Sequence, residues 1–511
     1  MKNLKTLQSL VNRLKETQHI SSAIAVLSWD QECYMPKGAG AARAAQLSYL
    51  MGFEHEQRIG LEMQKALSAW LDLETGSLLT EASEWEEDAQ ALLREVWRDY
   101  HRAICLPSDF VRTLGLETSL AHQVWIEARQ TNNFSLFAPH LKRIIALKKQ
   151  EAEYIGYAES PYDALMDSFE PGMTVKKIAP LFEALKNKLV PLVQKIGQSE
   201  IKADALLFKK YYDPQKQWDF GLQVLKTMGY DFNTGRQDHS IHPFTTTFHP
   251  TDVRVTTRVD AHDLLSSLFS SIHEGGHGLY DQGLSKKYYG TPLGDSISLG
   301  IHESQSRLWE NSVGRSRAFW THFYPKLAAV FPENFKGIDF ETFYRAINGV
   351  RPSLIRVESD EVTYNLHIML RFEIERLIIE DDLPVEELPT IWNEKMEAYL
   401  GVRPETDTDG VLQDVHWSGG AFGYFPTYTL GNLYAAQFFN QAKKDMSDLQ
   451  EKISKGDLLP LKTWLNEKIH RWGRQYSSEA MVQRVCNEAP NPAYFTTYLE
   501  EKFRKIYQFP L

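Results

Sequence analysis

Apolar side chains recur at three- and four-residue spacing along most of this chain, and this pattern constrains its fold more than any other feature. Such spacing places the side chains on one face of an α-helix. Residues 1–27 carry one stripe of this kind, at Leu4, Leu7, Leu10, Val11 and Leu14. The same pattern predicts helices over residues 41–57, 80–103, 135–156 and 175–197, with breaks at residues 36–38 and 170–172. The sequence therefore predicts a mainly helical protein.

One region, residues 238–260, departs from the helical pattern. Residues 254–259 are rich in β-branched side chains that partly alternate with charged ones, which is typical of a strand. Residues 249–252 contain Pro250 and Asp252 and have the composition of a turn. We expect a small β-hairpin here, directly before a further helix that starts near Ala261.

Length and composition exclude several classes of protein. The chain has 511 residues, of which 43% are hydrophobic and 24% charged, as in an ordinary globular protein. Its net charge of −11 argues against a general affinity for nucleic acid or for an anionic membrane. We find no linker rich in Gly and Ser, so residues 1–511 are predicted to form one large domain with several lobes.

Cysteines and targeting signals point to the cytoplasm. Cys33, Cys105 and Cys486 lie far apart, which argues against a disulfide framework or a cysteine zinc site and favours a reducing compartment. Residues 1–19 lack the apolar core of a signal peptide, and no run of about 18 apolar residues predicts a membrane helix. We therefore expect a cytoplasmic protein without membrane or nucleic-acid partners.

The most informative segment is residues 270–277, which contain the pattern His-Glu-x-x-His. Two histidines at i and i+4 lie one helical turn apart, so His273 and His277 can reach the same metal ion. Glu274 points about 100° away around the helix and is free to take a proton from water. The alternative is a helix with two surface histidines. Gly275 and Gly276 argue against it, because paired glycines inside a helix suggest that something packs against the backbone there.

A catalytic zinc ion usually takes three protein ligands and leaves one position open. Glu303, which lies 26 residues after His277, is the predicted third ligand. His302 is its rival, but adjacent helical residues point about 100° apart, so only one of them should face the metal. We expect His302 to support a ligand or cap a helix. Asp295 and Asp360 are both candidates for the carboxylate that orients a metal-bound histidine.

Several motifs together resemble the carboxypeptidase Taq family of metallocarboxypeptidases, and they span almost the whole chain. The main ones are residues 242–244 (HPF), 252–256 (DVRVT), 273–277 (HEGGH), 302–305 (HESQ), 355–358 (IRVE) and 410–417 (GVLQDVHW). Residues 28–30 with 35–36, and residues 162–165, are similar to further signatures of the family. Ser359 stands where the family usually has Ala, a small change that affects local packing rather than chemistry.

The resemblance implies a fold, an activity and an assembly. The fold would be two-lobed and helical with a deep central cleft, similar to neurolysin and angiotensin-converting enzyme, and with a small β element near the active site. The activity would be removal of single residues from peptide C-termini with broad specificity. The cofactor would be one divalent metal ion per chain, with zinc expected first and cobalt as the alternative, and the assembly would be a homodimer.

A carboxypeptidase must bind the free carboxylate at the end of its substrate, and arginine suits this because its planar fork binds carboxylate through two N–H groups. Arg356 and Arg254 are the candidates, since both lie in family motifs. The alternative is that each forms a structural ion pair. For Arg356 the acidic groups close in sequence are Glu358, Asp360 and Glu361.

The Gly- and aromatic-rich stretch of residues 416–428 supplies the remaining candidates. Peptide hydrolysis builds negative charge on the carbonyl oxygen, which a His or Tyr donor can stabilise. Related zinc peptidases take a His and a Tyr from a similar segment, so we expect His416 and Tyr428 in this role. Tyr424 is the runner-up and is expected to bind substrate. The alternative is aromatic packing around a loop. Competing functions are a zinc endopeptidase or aminopeptidase, or an inactive peptide-binding homologue.

Overall fold

The structure, a computed structural model, describes residues 5–79 and 82–509. The chain divides into two compact units, each assembled from three separate stretches of sequence. Unit 1 comprises Met1–Ile104, Ala205–Phe340 and Phe438–Ala489. Unit 2 comprises Cys105–Asp204, Glu341–Gln437 and Pro490–Leu511.

The described residues are mainly helical, as predicted. In chain order the α-helices are α1 (Gln8–Cys33), α2 (Gly40–Ile59), α3 (Leu61–Ser68), α4 (Glu87–Cys105), α5 (Ser108–Gln130), α6 (Phe134–Ile155), α7 (Pro161–Met166), α8 (Val175–Gln198), α9 (Pro214–Met228), α10 (Leu264–Gly283), α11 (Leu299–Arg307), α12 (Arg317–Val330), α13 (Pro332–Phe335), α14 (Phe340–Ile347), α15 (Tyr364–Ile379), α16 (Leu388–Leu400), α17 (Pro426–Asp445), α18 (Leu449–Ser454), α19 (Leu459–Lys468), α20 (Ser478–Cys486) and α21 (Ala493–Tyr507). A π-helix, Leu308–Val313, continues α11. Helices α5–α8, α14–α17 and α21 belong wholly or mostly to unit 2 and the others to unit 1.

Three strands in unit 1 form one small sheet in the order β1-β3-β2. Strand β1 is Gly235–His239, β2 is Thr245–His249 and β3 is Asp252–Thr257. The β2–β3 pair is antiparallel and is the predicted hairpin, while β1 lies parallel to β3 on its other side. The sequence did not predict β1, whose polar stretch lacks strand alternation and pairs with β3 through its backbone.

The predicted helices have observed counterparts in α1, α2, α4, α6 and α8, with shifted ends. The starts of α1 and α4 shift most. Helix α1 is predicted from residue 1 and begins at Gln8, and α4 is predicted from Thr80 and begins at Glu87 after a 3₁₀ turn at Ala82–Glu84. Residues 1–4 and 80–81, which those predictions included, lie outside the described residues. No helix among residues 5–79 and 82–509 combines the length and the apolarity needed to cross a membrane.

Each unit has one central helix. In unit 1, α10 packs against α9, α11 and β3. In unit 2, nearly every residue of α15 is buried, and Phe372 makes edge contacts with the rings of Tyr162 and Phe182 at centroid distances of 5.7 and 5.1 Å.

Candidate metal centre and active-site residues

The His-Glu-x-x-His motif lies in α10. Asp263 caps the start of this helix, its carboxylate accepting a hydrogen bond from the backbone N–H of Ser266 at 3.3 Å. A side-chain oxygen at this position satisfies one of the free N–H groups in the first turn. The helix continues through His273 and His277, and their rings lie 4.9 Å apart between centroids. The motif is thus helical, as its spacing requires.

The paired glycines of the motif allow close packing on two sides. A Cβ on Gly275 would lie 2.3 Å from Cδ2 of Leu225 in α9. A Cβ on Gly276 would lie 2.7 Å from Cα of Ser306 and 2.8 Å from the backbone oxygen of Gln305. The expected close approach to the helix backbone is therefore confirmed, and at Gly276 it brings α11 against α10.

This packing brings together the three predicted metal ligands. Oε2 of Glu303 lies 3.6 Å from Nε2 of His273 and 3.4 Å from Nε2 of His277. All three donor atoms lie within 4.8 Å of one another. A tetrahedral zinc ion with bonds of about 2.1 Å separates its ligands by roughly 3.4 Å. The residues present therefore fit a divalent metal ion of this kind.

Glu310 orients the first of the two histidines. Nδ1 of His273 lies 2.8 Å from Oε2 of Glu310, in the π-helix. Burial alone would raise the pKa of Glu310, but Arg307, His273 and Arg315 outweigh it and lower this pKa to about 2. The ionised carboxylate can only accept, so Nδ1 carries the proton and Nε2 keeps its lone pair for a metal.

Glu310 corrects the expectation that Asp295 or Asp360 plays this part. Asp360 instead accepts hydrogen bonds from the backbone N–H and the hydroxyl of Thr363, at 3.0 and 2.8 Å, which places it at the start of α15. Asp295 lines a small cavity with Arg58 and Asp99. α-Helical spacing does not reveal Glu310, because the π-helix that begins at Leu308 changes its direction relative to Glu303.

Glu303 is held as an anion with one oxygen turned to the histidines. Its Oε1 accepts a hydrogen bond from Nε of Arg307 at 2.7 Å. The hydroxyl of Ser306 donates to the backbone oxygen of Glu303 at 2.7 Å and lies 3.1 Å from Oε2. Burial opposes ionisation, yet Arg307 and the two motif histidines hold the pKa of Glu303 well below its usual range. The neighbouring His302 lies outside the donor set. Its Nε2 instead lies 3.0 Å from Oδ1 of Asp281.

Glu274 lies beside the metal ligands and is bound to the sheet. The hydroxyl of Thr245, in β2, donates to Oε2 of Glu274 at 2.7 Å and also lies 3.0 Å from its backbone oxygen. The glutamate is buried. Thr245 therefore fixes the direction of one carboxylate oxygen, a contact that the sequence did not predict. The β element does adjoin the motif, as expected.

In unit 2, Arg356 belongs to a buried ionic network. Its Nε and Nη2 donate to Oδ1 of Asp414 at 3.1 and 2.8 Å, and its Nη1 donates to the hydroxyl of Tyr364 at 3.0 Å. Arg371 donates to the other oxygen of Asp414 at 2.7 Å and to Oε1 of Gln413 at 2.8 Å. The acidic partner of Arg356 is thus Asp414, from another motif, rather than the carboxylates close to it in sequence.

The predicted aromatic cluster is present in unit 2. The ring of His416 lies 4.5 Å from that of Phe425, 5.2 Å from that of Tyr424 and 6.4 Å from that of Tyr428, between centroids. Burial, together with the nearby guanidinium of Arg356, lowers the pKa of His416 to about 4. The imidazole is therefore neutral at physiological pH and can donate a hydrogen bond through one nitrogen.

Glu375 anchors this segment from α15. It is wholly buried and accepts hydrogen bonds from the indole of Trp417 at 2.8 Å, the backbone N–H of Gly423 at 3.0 Å and the hydroxyl of Tyr162 at 2.6 Å. Burial raises the pKa of Glu375 to about 7 in spite of these bonds. No motif or spacing pointed to Glu375, which lies 41 residues before the loop that it holds.

Arg254, the second arginine candidate, lies in β3 of unit 1. Its Nε and Nη2 donate to the two oxygens of Asp252 at 2.9 and 3.0 Å. The guanidinium also lies over the rings of Trp29 and Phe248, 4.3 and 4.8 Å from their centroids. Two family motifs thus meet here, and the contacts of Arg254 are those of a residue that fastens α1 to the sheet.

Nearly the whole chain matches one family of peptidases. Residues 9–503 match the family described as carboxypeptidase Taq (M32) metallopeptidase. Thermostable carboxypeptidase 1 of Thermus thermophilus is 41% identical over 510 residues, which cover 98% of each chain. Carboxypeptidase 1 of Bacillus subtilis is 39% identical over 494 residues, covering 97% of each.

Solved structures agree with these relatives. The crystal structure of the M32 carboxypeptidase from Deinococcus radiodurans R1 superposes with a TM-score of 0.94 at 35% identity, covering 98% of this chain and 99% of that one. The resemblance inferred from the motifs and the mainly α metallopeptidase fold are both confirmed. This chain belongs to the carboxypeptidase Taq family of metallopeptidases and is a metal-dependent carboxypeptidase.

Proposed function

We propose that this carboxypeptidase binds one divalent ion per chain through His273, His277 and Glu303, with zinc as the first candidate and cobalt as the second. The close approach of three donor atoms on α10 and α11 supports this assignment more than any other observation. Two imidazoles and one carboxylate form a donor set typical of catalytic zinc. An ion held by these residues would supply Lewis-acid chemistry, lowering the pKa of a water molecule and polarising the scissile carbonyl.

The protein's own proton transfer is assigned to Glu274. Thr245 occupies Oε2 of Glu274 with a hydrogen bond, which leaves Oε1 to accept a proton from the attacking water. The same carboxyl group can then pass this proton to the nitrogen of the leaving amino acid. Because Glu274 is outside the donor set, its carboxylate does not coordinate the metal and stays available to accept a proton.

Recognition of the C-terminal carboxylate is assigned to Arg356. The bonds to Asp414 and Tyr364 use three of its five N–H groups and leave two to donate to a substrate. Arg371 also pairs with Asp414, so this single carboxylate neutralises only part of the positive charge of Arg356. Arg254 remains the second candidate, although it already donates to both oxygens of Asp252.

Stabilisation of the carbonyl oxygen is assigned to His416 and Tyr428, with Tyr424 as a further contact of the substrate. The low pKa of His416 supports this role, because a neutral imidazole donates without repelling nearby cations. Glu375 supports the loop that carries these side chains through Trp417 and Gly423.

We further propose that residues 1–511 act as one peptidase domain, that the chain forms a homodimer and that it is cytoplasmic. Each unit draws on three separate stretches of sequence, so neither is one continuous module. Helix α5 exposes Leu116 and Leu120, at 65% and 44%, which supports contact with a second copy. Three cysteines in 511 residues suit a reducing compartment. Sedimentation velocity tests the dimer directly.

The decisive experiment is product analysis by mass spectrometry on a mixed pool of peptides, in which each peptide is present with a free and with an amidated C-terminus. We expect ladders that shorten one residue at a time from free C-termini, with broad residue preference, and little cleavage of amidated peptides. Internal fragments would indicate an endopeptidase, and loss of N-terminal residues an aminopeptidase. Absence of turnover in protein with a full complement of zinc or cobalt would indicate an inactive binding homologue.

A further inference from the structure

We infer that His302 and Asp281 form a positioning pair, which holds the imidazole of His277 in its metal-binding orientation by ring stacking. This inference rests on the metal site proposed above and goes beyond it, because it assigns the two histidine ligands different kinds of support. Neither His302 nor Asp281 touches substrate or metal in this role.

The two histidine ligands, His273 and His277, differ in the hydrogen-bond partner of Nδ1, the ring nitrogen that does not face the metal. Nδ1 of His273 has the carboxylate of Glu310 at 2.8 Å. Nδ1 of His277 is buried and has no hydrogen-bond partner among the residues that the structure describes. A metal-bound histidine usually donates its second N–H to a neighbour, which fixes the plane of the ring. Something else must therefore fix the ring of His277.

The ring of His302 occupies the required position. Its centroid lies 4.4 Å from that of His277, and the two planes are only 20° apart, so the rings stack face to face. The ring of Tyr280 lies against His302 as well, at 5.4 Å between centroids. A stacked neighbour resists rotation of His277 about its χ2 angle, which would otherwise swing Nε2 away from Glu303.

Asp281 fixes the stacking ring in turn. Its Oδ1 lies 3.0 Å from Nε2 of His302, and its Oδ2 accepts a hydrogen bond from the hydroxyl of Thr247 in β2. Asp281 and His277 lie one turn apart on α10, while His302 lies on α11. The pair therefore connects the two ligand-bearing helices through stacked rings and connects them to the sheet through the hydrogen bond of Asp281 with Thr247.

The test compares zinc affinity in four proteins by competition with a chromophoric chelator, and follows the visible absorption of the cobalt form. In His302→Ala, which removes the stacked ring, we expect zinc affinity to fall about 10- to 100-fold and the cobalt bands to change. In His302→Phe, which keeps a flat ring but loses the bond to Asp281, the loss of affinity should be smaller than in His302→Ala and similar to that in Asp281→Asn. The matched control is His262→Ala, since His262 also contacts an aromatic ring, but that of Tyr211 rather than that of a metal ligand.

A double-mutant cycle tests the link to Asp281. As a single substitution, Asp281→Asn should weaken zinc binding. Added to His302→Ala, it should have little further effect. Unchanged affinity in His302→Ala, or equal losses in His302→Ala and His302→Phe, would overturn the stacking role. If His302→Ala fails to fold, as judged by circular dichroism, His302→Phe and Asp281→Asn carry the test. Then a greater loss in His302→Phe than in Asp281→Asn, or none in Asp281→Asn, overturns it.

The experiment also separates this inference from the metal site on which it rests. His273→Ala should abolish tight zinc binding whatever His302 does. If His273→Ala retains zinc, the proposed site itself is wrong. If His273→Ala loses zinc while His302→Ala keeps it, the site is right and only the stacking role fails.

Discussion

Oε2 of Glu310 lies 2.8 Å from Nδ1 of His273, and this contact crosses from a π-helix to the motif helix. The π-helix follows α11 directly, and its wider turn changes the direction in which Glu310 points relative to Glu303. One continuous segment therefore supplies both Glu303, the proposed metal ligand, and Glu310, which accepts the hydrogen bond from Nδ1 of His273.

Replacement of Glu310 should weaken the metal site without removing a ligand. In Glu310→Ala the ring of His273 loses the acceptor that fixes its proton on Nδ1, so we expect zinc affinity to fall about 10- to 100-fold. Chelator competition measures this. Glu333→Ala, at an exposed position in α13, serves as the control and should leave the affinity unchanged. Equal affinities in both variants would contradict the role of Glu310.

Replacement of Glu274 should separate catalysis from metal binding. Glu274→Gln keeps the side-chain size and a hydrogen bond with Thr245 but cannot take a proton from water. We expect kcat to fall by at least about 10²-fold while zinc content stays at one ion per chain. Metal analysis by mass spectrometry accompanies the kinetics. Loss of the metal in this variant would instead make Glu274 a ligand and would question the assignment of Glu303.

The sequence predicted the metal ligands and offered His302 as a support, but it did not predict Glu310 or Thr245, for a physical reason. His273 and His277 are related by helical periodicity, which is local and visible in the spacing. Glu310, by contrast, reaches His273 only because α11 packs on α10 and then widens into a π-turn. Thr245 reaches Glu274 from the sheet. Contacts of this kind depend on tertiary packing, which periodicity does not encode.

In the fold, too, features with a local sequence pattern were predicted and features that depend on long-range contacts were not. Amphipathic stripes predicted the long helices, because burial of one helical face is a local pattern. The parallel strand β1 escaped prediction, since its five residues, Gly235–His239, carry little of the alternation that marks a half-buried strand. Its register against β3 places Arg236 opposite Arg254, and each arginine is paired with an aspartate two residues away. Strand β1 therefore depends on backbone pairing with the distant β3, and the aspartates neutralise the two arginines that this pairing places opposite each other.

A methyl group at Gly276 should disturb both stability and metal binding. In Gly276→Ala the new Cβ would meet backbone atoms of Ser306 and Gln305 below 3 Å, and backbone cannot move cheaply. We expect a loss of about 1–3 kcal/mol in unfolding free energy and weaker zinc binding, because α11 carries Glu303 away from α10. The control is Gly115→Ala in α5, where a Cβ meets nothing within 4 Å. This change should stabilise the protein by about 0.5–1 kcal/mol. Urea unfolding compares the two, and equal effects would contradict the packing argument.

Loss of Arg356 should be felt by free-acid peptides above all. Removal of a buried charge-assisted contact costs about 2–5 kcal/mol, so Arg356→Ala should lower kcat/KM on these peptides by roughly 30- to 4,000-fold. Zinc content and folding should persist, because Asp414 keeps its bond to Arg371. Amidated peptides should be poor substrates of the unchanged enzyme and hardly worse for the variant. The parallel variant Arg254→Ala tests the alternative anchor, and a loss confined to that variant would move the role to Arg254.

The buried carboxyl of Glu375 should make stability depend on pH in a defined window. Its pKa in the folded protein is about 7, above the ordinary value of 4.5, because burial penalises the charged form. The folded state therefore holds this proton more tightly than the unfolded state. The stability that this provides is complete below about pH 4.5 and is lost as the pH rises through 7. A shift of this size corresponds to about 3 kcal/mol.

The comparison of the unchanged protein with Glu375→Gln isolates this effect, since the amide has no proton to lose. Between pH 5 and pH 8 the unfolding free energy of the unchanged protein should fall by about 2.5 kcal/mol relative to the variant. Glu373→Gln, two residues away on α15, is the matched control. Burial alone would raise the pKa of Glu373, but Lys395 and Lys186 lower it, so its contribution is lost only as the pH falls below about 4.5. The difference in unfolding free energy between Glu373→Gln and the unchanged protein should therefore be constant from pH 5 to pH 8. Parallel curves for the unchanged protein and Glu375→Gln across this window would show that Glu375 is already ionised, and that its three hydrogen bonds outweigh its burial.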